Sequence, residues 1–158
     1  AFGGRADVMA VYDPTRKGTV VHSGTYNGNA ITMAAGIATL DLLTRDVVDR
    51  LNAEGDALRA RVREVSAMAG LTLTATGMGS LTGIHPVSGP VTNAAEAAAG
   101  DRRILRAIHL SLLRSGIFSA ARQFYVLSTA MSPADMGTFI SAFTESVHQV
   151  AAAARGEP

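Results

Sequence analysis

The chain contains no cysteine and no tryptophan, and only 5% of its 158 residues are aromatic. The lack of cysteine excludes disulfide bonds and thiolate metal sites. The scarcity of aromatic side chains leaves no platform on which nucleic-acid bases could stack. The formal net charge is only +1, with acids and bases interspersed. The sequence therefore predicts neither a nucleic-acid partner nor an anionic membrane surface.

A long apolar segment is also lacking. The most apolar run, 30–43, contains Thr32, Thr39 and Asp41 and is too short to cross a bilayer. The first residues contain neither an initiating Met nor the zones of a signal peptide. We therefore expect this stretch to come from the middle of a longer, cytoplasmic protein.

Metal binding is not predicted either. Beyond the absent cysteines, His85, His109 and His148 share no metal-ligand spacing with one another or with a carboxylate. We expect these three histidines to be structural or exposed.

Apolar residues recur at intervals of three and four in several parts of the chain, which predicts amphipathic helices. The predicted helices begin near Asn29 and after Thr44, Asp101 and Ser132. Ser132 with Pro133 and Asp135 combines an N-cap, a first-turn proline and an acid at the third helical position. Gly70 and Gly116 are predicted to end the second and third helices.

Apolar and small residues alternate over 71–75 and 80–87, which predicts two strands joined by a turn or bulge. A further short strand pair is predicted at 117–119 and 124–128. Glycine and proline in 1–21 predict brief strands and loops, and the small residues of 88–100 predict a loop. The elements together predict an α/β two-layer sandwich, with a small, mostly antiparallel sheet covered by helices.

A cluster of small polar residues precedes the first predicted helix, in the stretch "VVHSGTYNGNAITMAAG" at 20–36. The free N–H groups and the positive dipole end of that helix would attract an anion. Gly24 allows close backbone approach, and the hydroxyls of Ser23 and Thr25 can donate hydrogen bonds to phosphate oxygens. The alternative is a capped helix end that binds nothing, because such residues precede many helices.

The motifs "AFGGR" and "HSGTYNGNAITMAAGIATLDLL" resemble the class III aminotransferases, which are pyridoxal-phosphate enzymes of fold type I. Within this family the likeness is greatest to the glutamate-1-semialdehyde aminomutase branch. It continues through "GMGSLTGI", "LLRSGIF" and "ARQFYVLSTAMSPADM". The resemblance implies a C-terminal part only. Its expected division is a remnant of the large cofactor-binding domain (1–28), linking helices (29–69) and a small α/β domain (70–158).

The resemblance also implies roles for individual residues. Gly24 and Thr25 would bind the phosphate of pyridoxal 5'-phosphate in the neighbouring subunit of a homodimer, and the neighbouring hydroxyl of Ser23 is a further candidate for cofactor binding. The family's Schiff-base lysine lies upstream of the matched segment, and Lys17 does not match its motif, so no catalytic residue is expected in this chain. Arg122 is a candidate for binding the substrate carboxylate. His22 is a candidate for a different reason, because it lies beside the polar cluster and could contact the substrate or the cofactor; the alternative is a hydrogen-bonded structural histidine.

The function implied is transfer of an amino group between amino and carbonyl carbons of a small-molecule substrate. We expect the chain to be inactive alone, because the lysine is missing. The alternative is a non-catalytic module that keeps the same fold for dimerisation or anion binding.

Overall fold

A three-stranded antiparallel sheet organises the larger part of the chain, in a computed structural model that describes residues 2–156. The strands are β1 (Thr74–Thr76), β2 (Leu81–His85) and β3 (Phe124–Val126), in the order β1-β2-β3. Ala75 pairs with Ile84, and Thr82 pairs with Tyr125. Cross-strand partners point to the same side, so these four side chains form one face of the sheet.

Helices make up most of the remaining structure. They are α1 (Ala6–Met9), followed by a 3-10 turn (Ala10–Tyr12), then α2 (Ala30–Leu42), α3 (Arg45–Ala69), α4 (Ala94–Ala98), α5 (Arg102–Arg114) and α6 (Pro133–Ala154). The residues up to Leu43 form one compact unit, and those from Thr44 onward form a second. The division at 28 and 69 that the resemblance implies stays a prediction.

The core of the second unit lies between the sheet and the helices. Leu58, Val62 and Val65 recur along one stripe of α3 and are buried. They meet the buried side chains of α5, α6 and the strands, among them Ile84, Ile108, Leu112, Phe143 and Val147. Apolar burial at helical spacing explains why these helices cover the sheet. The predicted two-layer α/β sandwich with a small antiparallel sheet is confirmed.

Local signals set the helix ends. Ser132 accepts a hydrogen bond from the Asp135 amide, and the Asp135 carboxylate accepts one from the Ser132 amide, which completes a capping box. Gly70 ends α3 in the left-handed conformation with φ of 66°. The neighbouring Leu71 amide then donates to the Ser66 carbonyl, at 3.1 Å.

Two predicted loop regions contain short helices instead. Residues 6–12 form α1 and the 3-10 turn, so the prediction of brief strands and loops over 1–21 was wrong there. The predicted loop 88–100 contains α4, which Asn93 caps by accepting from the Glu96 amide at 3.0 Å. The Glu96 carboxylate in turn accepts from the Thr92 amide and hydroxyl, and these bonds lower the pKa of Glu96.

The predicted strand at 117–119 does not form among the described residues. The Ile117 amide donates to the Leu112 carbonyl at 2.9 Å, and the Gly116 amide donates to Leu113 at 3.0 Å. These bonds complete the C-terminus of α5, so Ile117 is not free to join a sheet ladder. Only the second member of the predicted pair, β3, is a strand.

Arg59 is a buried cation on α3, with only 8% of its side chain exposed. Its Nη1 donates to the carbonyl oxygens of Gly79 and Leu81, at 3.0 and 2.7 Å. Its Nη2 donates to the Asp56 carboxylate at 2.6 Å. The guanidinium therefore ties α3 to the turn between β1 and β2.

Replacing Arg59 by Met should destabilise the chain by about 2–4 kcal/mol. Met keeps much of the apolar stem but leaves the carbonyls of Gly79 and Leu81 without their donor. The free energy of unfolding is measured by urea denaturation. Arg61→Met is the control, because Arg61 forms only a surface ion pair with Glu64 and should lose about 1 kcal/mol or less. Equal losses in the two variants would contradict the role assigned to Arg59.

Candidate functional site

The polar cluster forms two successive turns that lead into α2. The Asn27 amide donates to the Gly24 carbonyl at 2.9 Å, and the Asn29 amide donates to the Tyr26 carbonyl at 3.2 Å. Gly28 stands between them with φ of 69°, a left-handed conformation that favours glycine. The helix therefore begins at Ala30, close to the predicted start.

Asn29, which caps α2, accepts hydrogen bonds from only some of the amides in the first turn of the helix. The Asn29 side-chain oxygen accepts from the Thr32 amide at 3.1 Å, and the Asn29 carbonyl accepts from the Met33 amide at 2.9 Å. The amides of Ala30 and Ile31 donate to no other atom within residues 2–156. These free donors and the dipole make this end of the helix attractive to an anion.

Ser23 and Thr25 add hydroxyl groups to this loop. Both residues are exposed, and neither hydroxyl has a hydrogen-bond partner among the residues that the structure describes. A Cβ at Gly24 would lie 3.1 Å from Asn27 Oδ1, so a side chain there would press on the turn. Free hydroxyls, free amides and a glycine backbone form a donor set whose chemistry fits a phosphate group.

The His22 ring belongs to a small aromatic cluster in the same unit. Its centroid lies 5.0 Å from that of Phe2 and 5.6 Å from that of Tyr12, both in edge-to-face geometry. The Phe2 and Tyr12 rings also contact each other edge-to-face. This packing favours a structural role for the imidazole, although His22 is adjacent in sequence to Ser23.

Arg122 lies in the second unit, in the loop before β3. The next residue, Gln123, is fully buried with φ of 56°, and its amide donates to the Ala120 carbonyl at 2.8 Å. The Gln123 side-chain oxygen accepts from the Tyr125 hydroxyl, and burial raises the pKa of Tyr125. These contacts anchor the loop immediately beside Arg122.

The guanidinium of Arg122 is exposed and lies over the Phe124 ring, with Cζ 5.2 Å from the ring centroid. It forms no ion pair within residues 2–156. An exposed, unpaired guanidinium held by an aromatic ring is suited to bidentate binding of a carboxylate.

Arg102 and Arg106 line the same groove as Arg122, and the sequence prediction missed them. The signal was present, because residues 102–134 contain five arginines and no Asp or Glu. Acids and bases are therefore not interspersed in this segment, contrary to the expectation for the whole chain. The net charge of +1 is a value for the whole chain, so it gives no indication of the local excess of arginine.

Within the described part of the chain, no three His, Asp or Glu residues are grouped so that they could hold a metal ion. His85 instead contacts the Thr76 hydroxyl through Nε2, at 2.9 Å, and burial lowers its pKa. His109 contacts the Ser119 hydroxyl at 3.4 Å.

No helix formed by residues 2–156 has the length and apolar character needed to span a membrane.

Comparisons with known proteins identify relatives along nearly the whole chain. A β-phenylalanine transaminase of Variovorax paradoxus is 44% identical over 143 residues, which cover 90% of this chain and 33% of that protein. The crystal structure of a β-phenylalanine aminotransferase from the same organism matches with a TM-score of 0.81 and 41% identity, covering 93% of this chain and 34% of that one. The homologues of this chain are class III aminotransferases. No family model matches it.

Both branches of the family are similar to this chain. A glutamate-1-semialdehyde 2,1-aminomutase of Sorangium cellulosum (strain So ce56) is 36% identical over 149 residues, or 93% of this chain and 34% of the relative. A transaminase solved with pyridoxal phosphate bound matches with a TM-score of 0.76 and 34% identity, covering 96% of this chain and 35% of that one. Pyridoxal phosphate is the cofactor of this family. The chain spans about a third of the length of these relatives.

Proposed function

We propose that this class III aminotransferase chain supplies a phosphate-binding loop and a substrate-binding arginine to a pyridoxal-phosphate-dependent amino-transferring enzyme. The enzyme would move an amino group between amino and carbonyl carbons of a small molecule. Bound pyridoxal phosphate supplies an electron sink for this chemistry. The residues of this chain bind and orient the reacting groups.

The observation that carries this proposal is the donor set before α2. The hydroxyls of Ser23 and Thr25 are exposed and unpartnered in residues 2–156, and the amides of Ala30 and Ile31 are free. A plain helix cap needs only the Asn29 side chain, which already accepts from Thr32. The additional donors are explained if they bind an anion, and a phosphate dianion accepts several hydrogen bonds at once.

Arg122 is proposed to bind a substrate carboxylate. Its guanidinium is unpaired, and the anchored Gln123 limits the movement of the backbone beside it. A bidentate contact from such a group would orient an amino or keto acid without taking part in bond breaking. The aromatic packing of His22 favours a structural role over a substrate contact, so His22 is not part of this proposal.

A homodimer is part of the proposal, with each phosphate loop serving the cofactor of the partner subunit. Support comes from α2, in which no residue is buried and several large apolar side chains are exposed. The exposed fractions of Ile31, Leu40 and Leu42 are 80%, 71% and 74%. Apolar exposure of this extent on one helix is typical of a surface covered by another subunit or domain.

In the intact protein that contains this chain, Thr25→Ala should weaken retention of pyridoxal phosphate roughly tenfold or more. The substitution removes one charge-assisted hydrogen bond to the phosphate and leaves the backbone in place. Affinity is measured by equilibrium dialysis. Thr25→Ser should retain most of it, because serine keeps the hydroxyl donor.

Thr39→Ala is the matched control for this measurement. The Thr39 hydroxyl already donates to the Ala35 carbonyl at 2.8 Å inside α2, so its loss should leave cofactor affinity unchanged. If Thr25→Ala binds the cofactor as tightly as the unmodified protein, the loop is only a helix cap.

Mixed dimers test whether the site is shared. One subunit carries Thr25→Ala, and the other lacks its cofactor-binding lysine. The readout is the affinity for pyridoxal phosphate of the one site that keeps its lysine. If Thr25 serves the partner's cofactor, that site has both the lysine and the Thr25 hydroxyl and binds pyridoxal phosphate as tightly as the unmodified protein. If Thr25 serves its own subunit, that site lacks the hydroxyl and shows the weakened affinity of Thr25→Ala.

A further inference from the structure

The surface around α5 carries more positive than negative charge. Residues 102–134 contain no Asp or Glu, and their arginines are Arg102, Arg103, Arg106, Arg114 and Arg122. Arg103 pairs with Asp101, at 2.6 Å. Arg102, Arg106 and Arg122 form no ion pair with any of residues 2–156.

These three arginines line one groove of about 610 Å³. Arg102 and Arg106 are four residues apart on α5, so they lie on the same helix face with Cβ atoms about 5–6 Å apart. Arg122 enters from the loop before β3, where the buried Gln123 anchors the backbone. The walls between the charges include the apolar side chains of Leu105 and Leu110.

Like charges gathered around one groove raise its positive potential and concentrate counter-ions there. A guanidinium binds one carboxylate or phosphate group bidentately. A ligand with one anionic group would leave two of the three arginines unmatched. Two or more anionic groups on a short scaffold would match the arginines and place the apolar part against Leu105 and Leu110.

We propose that this groove binds a small molecule carrying at least two carboxylate or phosphate groups. The groove volume is within the range of small-molecule sites. The proposal goes beyond the function argued above, because Arg102 and Arg106 have no part in that function and the binding requires no pyridoxal phosphate. Arg122 is common to both.

The test is calorimetric titration of the intact protein with citrate and, separately, with inorganic pyrophosphate, at constant ionic strength. Acetate is the single-charge comparison. We expect saturable binding of at least one of the two probes and none of acetate at the same concentration. The preferred probe distinguishes a carboxylate ligand from a phosphate ligand.

Arg102→Gln and Arg106→Gln should each weaken binding of the preferred probe at least about tenfold, because each removes one charge-assisted contact. Arg114→Gln is the matched control, since Arg114 is an exposed arginine of α5 outside this groove and should leave binding unchanged. All three side chains are exposed, and the thermal transitions without probe are expected to coincide.

Three results would overturn the proposal. They are failure of both probes to bind, unchanged affinity in Arg102→Gln and Arg106→Gln, and an equal loss in Arg114→Gln, which would indicate general charge attraction. Binding of heparin but of neither small probe would also overturn it, in favour of a macromolecular partner. These results are independent of the dialysis of Thr25→Ala, so failure of one proposal is distinguishable from failure of the other.

Discussion

The 158-residue chain alone should transfer amino groups no faster than free pyridoxal phosphate does. In the family that this chain resembles, the lysine that binds the cofactor precedes the segment matched by "AFGGR", and Lys17 is the only lysine among the 158 residues. Lys17 is exposed in a polar turn between Asp13 and Gly18. Lys17 does not match the family's lysine motif, so a covalent role for its amine is not expected.

The measurement is amino transfer with added pyridoxal phosphate, an amino donor and a keto acid. The intact protein assayed beside it must be active, or the proposed function itself fails. Borohydride reduction followed by mass spectrometry then locates any pyridoxyl group. Activity of the chain that disappears in Lys17→Arg, with a label on Lys17, would contradict the prediction.

The parts of the fold that could be predicted from sequence are those set by contacts within a few residues. Ser132, Pro133 and Asp135 begin α6 through a capping box, and that geometry needs no distant partner. Apolar spacing in α3 likewise identifies the buried stripe through Leu58 and Val62. Both features depend on local sequence and on one side of each helix being covered.

Other elements could not be predicted correctly, because more than one local structure was compatible with their sequence. Ile117 looks like a strand residue, but its amide is taken by Leu112 at the end of α5. Asn93 and Glu96 have the spacing of a helix start, so the cap of α4 could have been predicted. The small residues around them favoured a loop prediction instead. In α1, Arg5 at the N-cap position makes no side-chain cap bond, so no capping signal marks this four-residue helix.

One part of the candidate site could likewise be predicted from local sequence, and the other part could not. The proposed phosphate loop is contiguous, so Ser23, Gly24 and Thr25 could be put forward as candidates from sequence alone. The groove is built from α5 and a loop at Arg122, which only the fold brings together. Its sequence signal was a local absence of acids rather than a motif.

Gly55 occupies a place on α3 where no side chain fits. A Cβ built there would lie 2.0 Å from the Gly79 carbonyl oxygen and 2.9 Å from its carbon. Gly79 is itself fixed, since it has φ of 54° and its carbonyl accepts from Arg59 at 3.0 Å. The backbone of the turn between β1 and β2 therefore contacts the helix directly, and neither side can move without breaking the buried bonds of Arg59.

Gly55→Ala should destabilise the chain by more than about 3 kcal/mol, although alanine is the better helix former. In an open helix position the same change stabilises by about 0.5–1 kcal/mol. Here the methyl group forces α3 away from the turn, an overpacking that outweighs the helix preference. Gly137→Ala is the control, since a Cβ at Gly137 in α6 would meet no heavy atom within 4 Å. Urea unfolding of both variants should therefore shift in opposite directions, and a stabilised Gly55→Ala would show that α3 does not contact the turn at Gly79.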